Sequence, residues 1–246
     1  MPALRDPPPR PPSVSSPLLS VVVPALDEAA TLPALLATLR AGLPLAHEVV
    51  VADGGSSDAT RDLARTAGAR VVEAPRGRGR QLAAGAEAAV ADALWFLHAD
   101  VRPDATLLAE VATLAAGHAA GHPLSAAWAG RLAIDAPGLA YRAVAAGTNL
   151  RSRVLGLPYG DQGLLVARAH YRAAGGFPAW PLMEDVALVQ ALRATGVPVR
   201  LLDGHVTVSA RRWQRDGVAR RTLSNWRLLA RFLAGADPEA LARRYR

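Results

Sequence analysis

The sequence lacks several features that define whole classes of protein. It contains no cysteine, so disulfide bonds and thiolate metal sites are excluded. It has no run of about 18 uninterrupted apolar residues, which a membrane-spanning helix requires. Prolines fill the N-terminal stretch in which a signal peptide would carry its apolar segment. The missing cysteine is compatible with any compartment, whereas the lack of a spanning segment and of a signal peptide leads us to expect a cytoplasmic protein.

Lysine is also absent, and the 28 basic residues are all arginine. Ten of these arginines lie in residues 211–246 beside three acids, so this segment carries a charge of +7, equal to the formal charge of the whole chain. A general nucleic-acid binder would spread its basic surface over the fold. A basic terminal segment instead suits an anionic lipid, a phosphorylated ligand or simple solvation, and no nucleic-acid partner is expected.

Length and composition indicate a single domain with additions at both ends. A chain of 246 residues, 51% of them hydrophobic, can bury one sizeable core. The proline-rich residues 1–17 predict a disordered lead-in. We expect the folded domain at residues 18–210 and a basic, amphipathic helical extension at residues 211–246.

Strand-like and helix-like segments alternate through the first half of the chain. Apolar runs predict strands at residues 18–23, 48–52, 70–74 and 94–97. Helical patterns follow these strands at residues 27–39, 58–67, 80–91 and 104–116. The alternation predicts an α/β fold with a mostly parallel central sheet flanked by helices. The ligand crevice of such a sheet lies at the carboxyl ends of its strands, where the polar loops of this sequence fall.

The pattern is weaker in the second half. Strands are predicted at residues 128–134, 163–167, 199–202 and 206–208, the first of them in mixed orientation. Helices are predicted at residues 138–157, 183–194 and 218–234. The last helix carries apolar residues on one face and arginines on another. This pattern suits a helix packed on the domain, or one that lies on an anionic membrane surface.

Three familiar motifs are incomplete. Gly77 and Gly79 begin a dinucleotide fingerprint, but Leu82 stands where its third glycine should be. Residues 54–58 lack the last glycine of a nucleophile elbow, and no glycine-rich loop ends in the Gly-Lys-Ser/Thr of a phosphate-binding ATPase. Nicotinamide enzymes, serine hydrolases and such ATPases are therefore disfavoured.

Carboxylates remain at the loop positions. Asp53 follows the second strand and could accept hydrogen bonds from the imide of a uracil-like base, or could organise a turn. Asp100, in the run FLHADV, could hold a divalent cation or could be a turn acid ahead of a helix. Glu184 and Asp185 begin a later helix, where the helix dipole also favours acids. Mg²⁺ and Mn²⁺ prefer carboxylate oxygens and complete their shell with substrate phosphates, so one protein carboxylate can suffice.

Taken together, four ordered motifs resemble the family 2 glycosyltransferases of the GT-A fold. They span Ser20 to about Gly196 and read SVVVPALDEAATL, VVADGGSSDAT, FLHADV and GDQGLLVARAHYRAAGGFP followed by PLMEDVALVQALRATG. The resemblance implies that Pro24, Glu28 and Asp53 bind the donor nucleotide. It also implies that Asp185 is the general base. The combination is most similar to the branch called radical-SAM/selenodomain-associated transferase 2.

The sequence departs from the family pattern at two places. His98 stands where the family has the first acid of Asp-x-Asp, so the resemblance assigns the metal to Asp100 alone and leaves His98 in the donor site. Leu82-Ala83-Ala84 replaces an Arg-Asn pair that many members carry before Gly85. Arg78 or Arg80 could supply the missing charge.

Further residues are candidates for contact with the acceptor or the diphosphate. Asp161 and Gln162 could contact a sugar or organise a turn, and Glu184 competes with Asp185 as base. Arg212-Trp213 resembles an Arg-Trp pair that processive members place near the diphosphate and acceptor. His205, between two strand ends, could be a further metal ligand or a packed residue.

The sequence thus predicts an inverting, metal-assisted glycosyltransferase. A UDP-sugar is the favoured donor, and the acceptor is a small-molecule or lipid-like hydroxyl or carboxylate, such as a carotenoid acid. Peripheral attachment to the inner face of the cell membrane is a further expectation. Two alternatives remain: a sugar-phosphate nucleotidylyltransferase, whose glycine-rich loop after the first strand is missing, and a non-catalytic membrane-surface module with a degenerate fold.

Overall fold

An eight-stranded sheet forms the centre of the computed structural model, which describes residues 16–244. In chain order the strands are β1 (Leu19–Ala25), β2 (His47–Asp53), β3 (Arg70–Glu73), β4 (Ala93–Phe96), β5 (Val101–Pro103), β6 (Ala127–Asp135), β7 (Leu164–Ala167) and β8 (Val199–Ser209). Across the sheet their order is β3-β2-β1-β4-β7-β6-β8-β5. The predicted lead-in at residues 1–17 falls outside the described residues except at its last two positions.

Parallel pairing dominates the sheet. Strands β1 to β4 pair in parallel, as do β6 and β8, whereas β7 and β5 run antiparallel to their neighbours. The register places Ala25 beside Asp53 and Val22 beside Phe96, so the loops after β1, β2 and β4 leave the sheet at one edge. The predicted α/β fold with a mostly parallel sheet is confirmed.

Helices cover both faces of the sheet and a 3₁₀ turn, Gly160–Gln162, precedes β7. Alternate residues of β1 point to opposite faces, as the two-residue period of a strand requires. Val21 and Val23 pack with α1 and α4 in one core, and Val22 packs with α3 and α7 in the other. The described helices are α1 (Leu32–Gly42), α2 (Thr60–Thr66), α3 (Arg78–Ala88), α4 (Ala105–Ala119), α5 (Leu139–Leu155), α6 (Arg168–Ala173), α7 (Glu184–Ala194), α8 (Arg211–Asp216), α9 (Val218–Leu233) and α10 (Pro238–Arg244).

Two local features differ from the sequence predictions. Strand β5, which pairs with β8 over Val101–Pro103, was not predicted, whereas the helix expected from about residue 104 begins at Ala105. The Asp104 side chain caps α4 by accepting from the Leu107 amide at 2.8 Å. The two strands expected at residues 199–202 and 206–208 form the single strand β8, whose pairing with β6 shifts register between Ala129 and Arg131. An extra, unpaired segment of this kind breaks the hydrophobic alternation that marks a strand in a sequence.

The C-terminal helices pack on the domain. Leu228 and Leu229 of α9 and Leu241 of α10 are buried in the same core as Val22. The boundary expected near residue 210 stays a prediction, because buried side chains on both sides of it share that core. Within residues 16–244, no helix combines the length and apolar character that crossing a membrane requires.

Close approach of α4 to β8 depends on Gly204. A Cβ atom at this position would overlap the backbone N and Cα of Leu107, which cannot move without displacing the start of α4. We expect Gly204→Ala to lower the free energy of unfolding by about 3 kcal/mol, measured by urea denaturation. Gly117→Ala is the matched control: a Cβ there meets nothing within 4 Å, so this helical substitution should raise stability by roughly 0.5–1 kcal/mol. Equal effects of the two substitutions would contradict the packing argument.

Candidate active site

A cavity of about 480 Å³ lies at the edge of the sheet where β1 and β4 end. Its wall comes from segments far apart in the chain: the start of α1, the loop after β4, the 3₁₀ turn, the start of α7, the end of β8, and α8 with α9. Charged side chains of both signs face it. The lining includes Arg78, His98, Asp100, Asp161, Asp185, Arg211, Arg212, Trp213 and Arg221. We call this space the site cavity.

The loops after β1 and β2 are tied together by side-chain-to-backbone hydrogen bonds. The Asp27 carboxylate accepts from the Ser57 amide at 2.7 Å, and the Ser56 hydroxyl accepts from the Asp27 amide at 3.0 Å. The Thr60 hydroxyl accepts from the Glu28 amide at 2.8 Å. Asp27 adopts a left-handed conformation, with φ of 54°, which Asp tolerates better than most residues. Because each loop donates hydrogen bonds to the other, the two loops are fixed relative to each other.

Asp53, the expected base-reading acid, is 1% exposed. Its carboxylate accepts from the amides of Gly55 and Ser56, each at 3.0 Å, and from the Ser56 hydroxyl. The Arg61 guanidinium lies 3.8 Å away. Asp53 therefore organises the loop after β2, as the turn interpretation expected. It does not line the site cavity, and base recognition by Asp53 stays a prediction.

Pro24 and Glu28, the expected nucleotide-binding residues, lie outside the lining of the site cavity, and their role stays a prediction. Pro24 is buried within β1, beside Ala52 of β2. Glu28 is half-buried, and burial raises its pKa; the negative charge of Asp100 acts in the same direction, whereas Arg212 acts against it. Asp100 and Arg212 therefore lie close enough to Glu28 to influence its charge, although they are at least 72 residues away in the sequence.

An ion pair between Arg78 and Glu184 connects the start of α3 to the start of α7 across 106 residues of sequence. Glu184 is fully buried, and burial raises its pKa, while Arg78 opposes that shift. The charges of Glu184, Asp185 and Asp161 hold the pKa of Arg78 above its ordinary value. The pair thus turns Glu184 away from the site cavity and presents part of Arg78 to it.

Asp185, unlike Glu184, lines the site cavity. One carboxylate oxygen accepts from the Gly160 amide at 2.6 Å and the other from the Val186 amide at 2.8 Å. Asp185 lies in the first turn of α7, where the helix dipole stabilises its negative charge. Met183, which precedes the helix, is buried in a left-handed conformation with φ of 64°. The backbone around Asp185 therefore fixes the direction of this carboxylate.

His98 lies beside Asp185 at the end of β4. A Cβ atom on Gly160 would be 2.8 Å from His98 Nε2 and 3.2 Å from an Asp185 carboxylate oxygen, so only glycine leaves room for both. Burial, aided by the charge of Arg78, lowers the pKa of His98 to about 4. At neutral pH the imidazole is therefore uncharged, where the family pattern has an acid.

Asp161 lies in the 3₁₀ turn and lines the same cavity. Burial and the charge of Asp185 raise its pKa to about 6, against the opposing effect of Arg151. Its Oδ1 is buried without a hydrogen-bond partner. A buried carboxylate oxygen without a partner is expensive unless a ligand or ion satisfies it.

The chemistry of these donors fits Mg²⁺ or Mn²⁺. Asp100, Asp161 and Asp185 contribute hard oxygens to one cavity, and Asp161 Oδ1 lacks a partner in the protein. Over residues 16–244, however, no three His, Cys, Asp or Glu side chains form a ready metal cluster. A cation here would accordingly need oxygens from a phosphate ligand and water, as the sequence predicts for Asp100.

Three further candidate residues lie outside the cavity lining. Gln162 is fully buried; its amide oxygen accepts from Ser152 at 2.8 Å, and its amide nitrogen donates to the Gly130 carbonyl at 3.0 Å. It holds the 3₁₀ turn in place, which is the second of its two expected roles. Arg80 is exposed and outside the cavity lining, unlike Arg78. His205 also lies outside it, with Nδ1 3.4 Å from Asp104.

The last wall of the cavity carries Arg212 and Trp213 of α8. Trp213 packs against the core that contains Val21, and its Nε1 is buried without a partner. Tyr159, which was not predicted as a site residue, also lines the cavity, and the Arg151 guanidinium lies 3.7 Å from its ring centroid. A single aromatic residue in a loop has no local pattern that marks such a contact.

Comparison with known proteins places this geometry in context. Residues 20–144 match the family model described as glycosyl transferase family 2. The succinoglycan biosynthesis protein ExoA of Rhizobium meliloti is 52% identical over 46 residues, which are 18% of this chain and only 14% of that protein.

Solved structures are similar in fold. Glucosyl-3-phosphoglycerate synthase from Mycobacterium tuberculosis, in complex with Mn²⁺, UDP and glucosyl-3-phosphoglycerate, aligns with a TM-score of 0.56 and 19% identity over 84% of this chain and 77% of its own. TarS from S. aureus, residues 1–349, aligns with a TM-score of 0.59 and 16% identity over 78% of this chain and 60% of its own. At these identities the likeness concerns the fold, which is that of GT-A glycosyltransferases. The family model covers more than half of the 246 residues, and the chain therefore belongs to glycosyl transferase family 2.

Proposed function

We propose that the protein is an inverting glycosyltransferase that moves a sugar from a nucleotide-diphosphate donor to a hydroxyl or carboxylate acceptor. The observation that carries this proposal is the Asp185 carboxylate, which two backbone amides orient into a cavity shared with Asp100. An oriented carboxylate is what a general base requires, provided that it reaches the proton of the acceptor. Membership of the family supports the same reaction class.

A UDP-sugar is the proposed donor. The loops that bear Glu28 and Asp53 are locked together beside the cavity and form the side on which a nucleotide would lie. Two structures of similar fold contain the corresponding ligands: TarS was solved with UDP, and glucosyl-3-phosphoglycerate synthase with UDP-glucose, Mn²⁺ and phosphoglyceric acid. Those ligands belong to those proteins, and they make uridine donors the first to test here.

Asp100 would hold Mg²⁺ or Mn²⁺, and Asp161 offers a further oxygen. When bound, a divalent cation would neutralise the negative charge that develops on the leaving diphosphate. Arg78 and Arg212 provide positive charge on the same cavity wall without any cation. Fixed charges of this kind stabilise a transition state because they need no rearrangement during the reaction.

Asp185 removes the proton of an acceptor hydroxyl as that oxygen attacks the anomeric carbon. The bond from this carbon to the diphosphate oxygen breaks in the same displacement, so the configuration inverts and no covalent sugar intermediate forms. Glu184 is buried in its pair with Arg78 and cannot compete for the proton. When the acceptor is already a carboxylate, Asp185 serves only to orient it.

The acceptor side of the cavity is partly apolar. Leu182, Met183, Trp213 and Leu228 line it beside the arginines. An amphiphilic acceptor with an apolar body and one hydroxyl or carboxylate fits this mixture, which supports the lipid-like acceptor expected from the sequence. Location in the cytoplasm, at the inner face of the membrane, is part of the same proposal.

The reaction class is tested by calorimetry with Mn²⁺ and a panel of nucleotides, followed by mass-spectrometric screening of donor hydrolysis. Tight binding of UDP that depends on Mn²⁺, with hydrolysis of a UDP-sugar, is expected. Preference for a nucleoside triphosphate would instead indicate a nucleotidylyltransferase. Absence of any metal-linked nucleotide binding would indicate a non-catalytic module.

Asp185→Asn tests the base. The substitution keeps the shape of the side chain but removes its basicity, so transfer to a hydroxyl acceptor should fall by about 10²–10⁴-fold while UDP affinity changes little. Product formation is measured by mass spectrometry and affinity by calorimetry. The exposed Asp62→Asn, in α2 and outside the cavity, serves as the control and should keep full activity. Unchanged turnover of Asp185→Asn would remove Asp185 from the role of base.

Asp100→Ala tests the proposed cation site. We expect the gain in UDP affinity that Mn²⁺ provides to wild-type protein to fall by about tenfold or more, because a carboxylate ligand is lost. The measurement is calorimetric titration with UDP in the presence of Mn²⁺ and in its absence. Asp62→Ala should leave the Mn²⁺ dependence intact. An unchanged Mn²⁺ dependence of Asp100→Ala would show that another group holds the cation.

Arg78→Gln tests the ion pair that fixes α7. Removal of Arg78 leaves Glu184 buried without its partner. This should lower the free energy of unfolding by roughly 2–3 kcal/mol, less than the roughly 3–5 kcal/mol usual for a fully buried pair, because Arg78 is partly exposed. The double variant Arg78→Gln/Glu184→Gln should recover most of this loss, and Arg80→Gln should be neutral. Urea unfolding measures all three. A loss for Arg80→Gln as large as that for Arg78→Gln would contradict the assignment.

A further inference from the structure

The outer face of α5 is apolar although nothing in the described chain covers it. Leu139, Leu150 and Val154 are 80%, 63% and 69% exposed. At about 100° per residue these three side chains fall within one stripe roughly 60° wide. Arg142 and Arg153 are exposed along one border of the stripe. A folded protein seldom leaves a continuous apolar stripe in water without a partner for it.

Helix α9 has two apolar faces, of which only one is buried. Leu228 and Leu229 pack into the domain. Leu223, Trp226 and Leu233 lie on another side of the helix and are 49%, 45% and 46% exposed. The border of this second stripe is basic, with Arg220, Arg227 and Arg231 all exposed. The buried face accounts for the packing of α9, and the second face remains without a function in the fold.

The two stripes belong to neighbouring helices. Helix α5 contacts α9, and Trp180, itself 37% exposed, packs edge-on against Phe232 of α9 with ring centroids 6.0 Å apart. Neither helix contains an Asp or Glu, so the charges on their surfaces are all positive. We call the exposed apolar stripes of α5 and α9, with their bordering arginines, the α5–α9 face.

We infer that the α5–α9 face docks the protein on an anionic lipid membrane. Apolar side chains enter the boundary between headgroups and acyl chains, while arginines at the border meet lipid phosphates. This arrangement is independent of sugar transfer, because it requires no donor or acceptor.

The positive charge of the α5–α9 face favours an anionic membrane over a second copy of the chain as its partner. A symmetric dimer through the α5–α9 face would bring the same arginine-bordered surface against itself. Both surfaces carry only positive charge, so their approach would be repulsive without any acid to compensate. An anionic bilayer supplies both the apolar interior and the negative surface that this face lacks.

The docked orientation would bring the site cavity close to the lipid. Asn225 and Leu228, on the inner side of α9, line the cavity, while the outer side of the same helix carries Trp226. A single helix thus separates the cavity from the proposed membrane surface. An acceptor that resides in the lipid would have a short path to the cavity.

The test is co-sedimentation of the full-length protein with vesicles, without donor or metal. Vesicles of phosphatidylglycerol mixed with phosphatidylcholine should bind the protein, and vesicles of phosphatidylcholine alone should bind it about tenfold or more weakly. Raised salt should weaken the binding. Two variants should each reduce it by about tenfold or more: Leu150→Gln/Val154→Gln/Leu223→Gln and Arg220→Gln/Arg227→Gln/Arg231→Gln.

Matched controls keep this test specific. Val90→Gln alters an exposed apolar residue elsewhere, and Arg40→Gln/Arg65→Gln/Arg172→Gln removes three exposed arginines from other helices; both should bind vesicles like the wild type. Circular dichroism and thermal unfolding should be unchanged in all variants, because every altered side chain is exposed. The inference is overturned by three results: no preference for phosphatidylglycerol, equal loss in the controls, or a stable dimer in sedimentation that the α5–α9 variants abolish.

Discussion

The ion pair between Arg78 and the buried Glu184 is the interaction on which the arrangement of the cavity depends. It joins the first turns of α3 and α7, and Gly79 makes the contact possible because a larger residue would overlap the carbonyl oxygen of Pro178. With Glu184 directed inward, the next residue must face another way, since consecutive helical side chains diverge by about 100°. Asp185 is thereby directed to the cavity, where Gly160 fixes it. A pair of adjacent acids has become one structural and one accessible carboxylate.

Charge balance follows from the same arrangement. Asp161 and His98 are both half-buried and both feel the charge of Arg78, and their pKa values move in opposite directions, to about 6 and about 4. Both shifts favour uncharged forms, because burial disfavours charge of either sign. Arg78 nevertheless stays positive, since three carboxyl groups surround it. At neutral pH His98 is therefore uncharged, whereas Asp161, with a pKa of about 6, is still mostly ionised and keeps its negative charge beside Arg78.

Much of the fold could be predicted from the sequence, because the parallel strands are continuous apolar runs with polar loops at one end. Of the acids expected at the strand ends, Asp100 and Asp185 line one cavity, whereas Asp53 lies outside its lining. Two results could not be read locally. The burial of Gln162 depends on Gly130, which is 32 residues away in the sequence, and the exposed position of Arg80 beside the cavity-lining Arg78 depends on how α3 packs. The turn-forming role of Asp53, in contrast, rests on Gly55 and Ser56 and was one of the two roles expected from the sequence. Strand β5 was missed because three residues that pair with β8 have no periodicity of their own.

The reciprocal bonds between the loops after β1 and β2 have a consequence for recognition. Ordering a flexible loop around a ligand consumes part of the affinity that its contacts would provide. These loops are already ordered without a ligand, through hydrogen bonds that involve Asp27, Ser56, Ser57 and Thr60. A ligand that binds against these joined loops would meet a preorganised surface, so its selectivity would rest on shape complementarity rather than on induced closure of this side of the cleft.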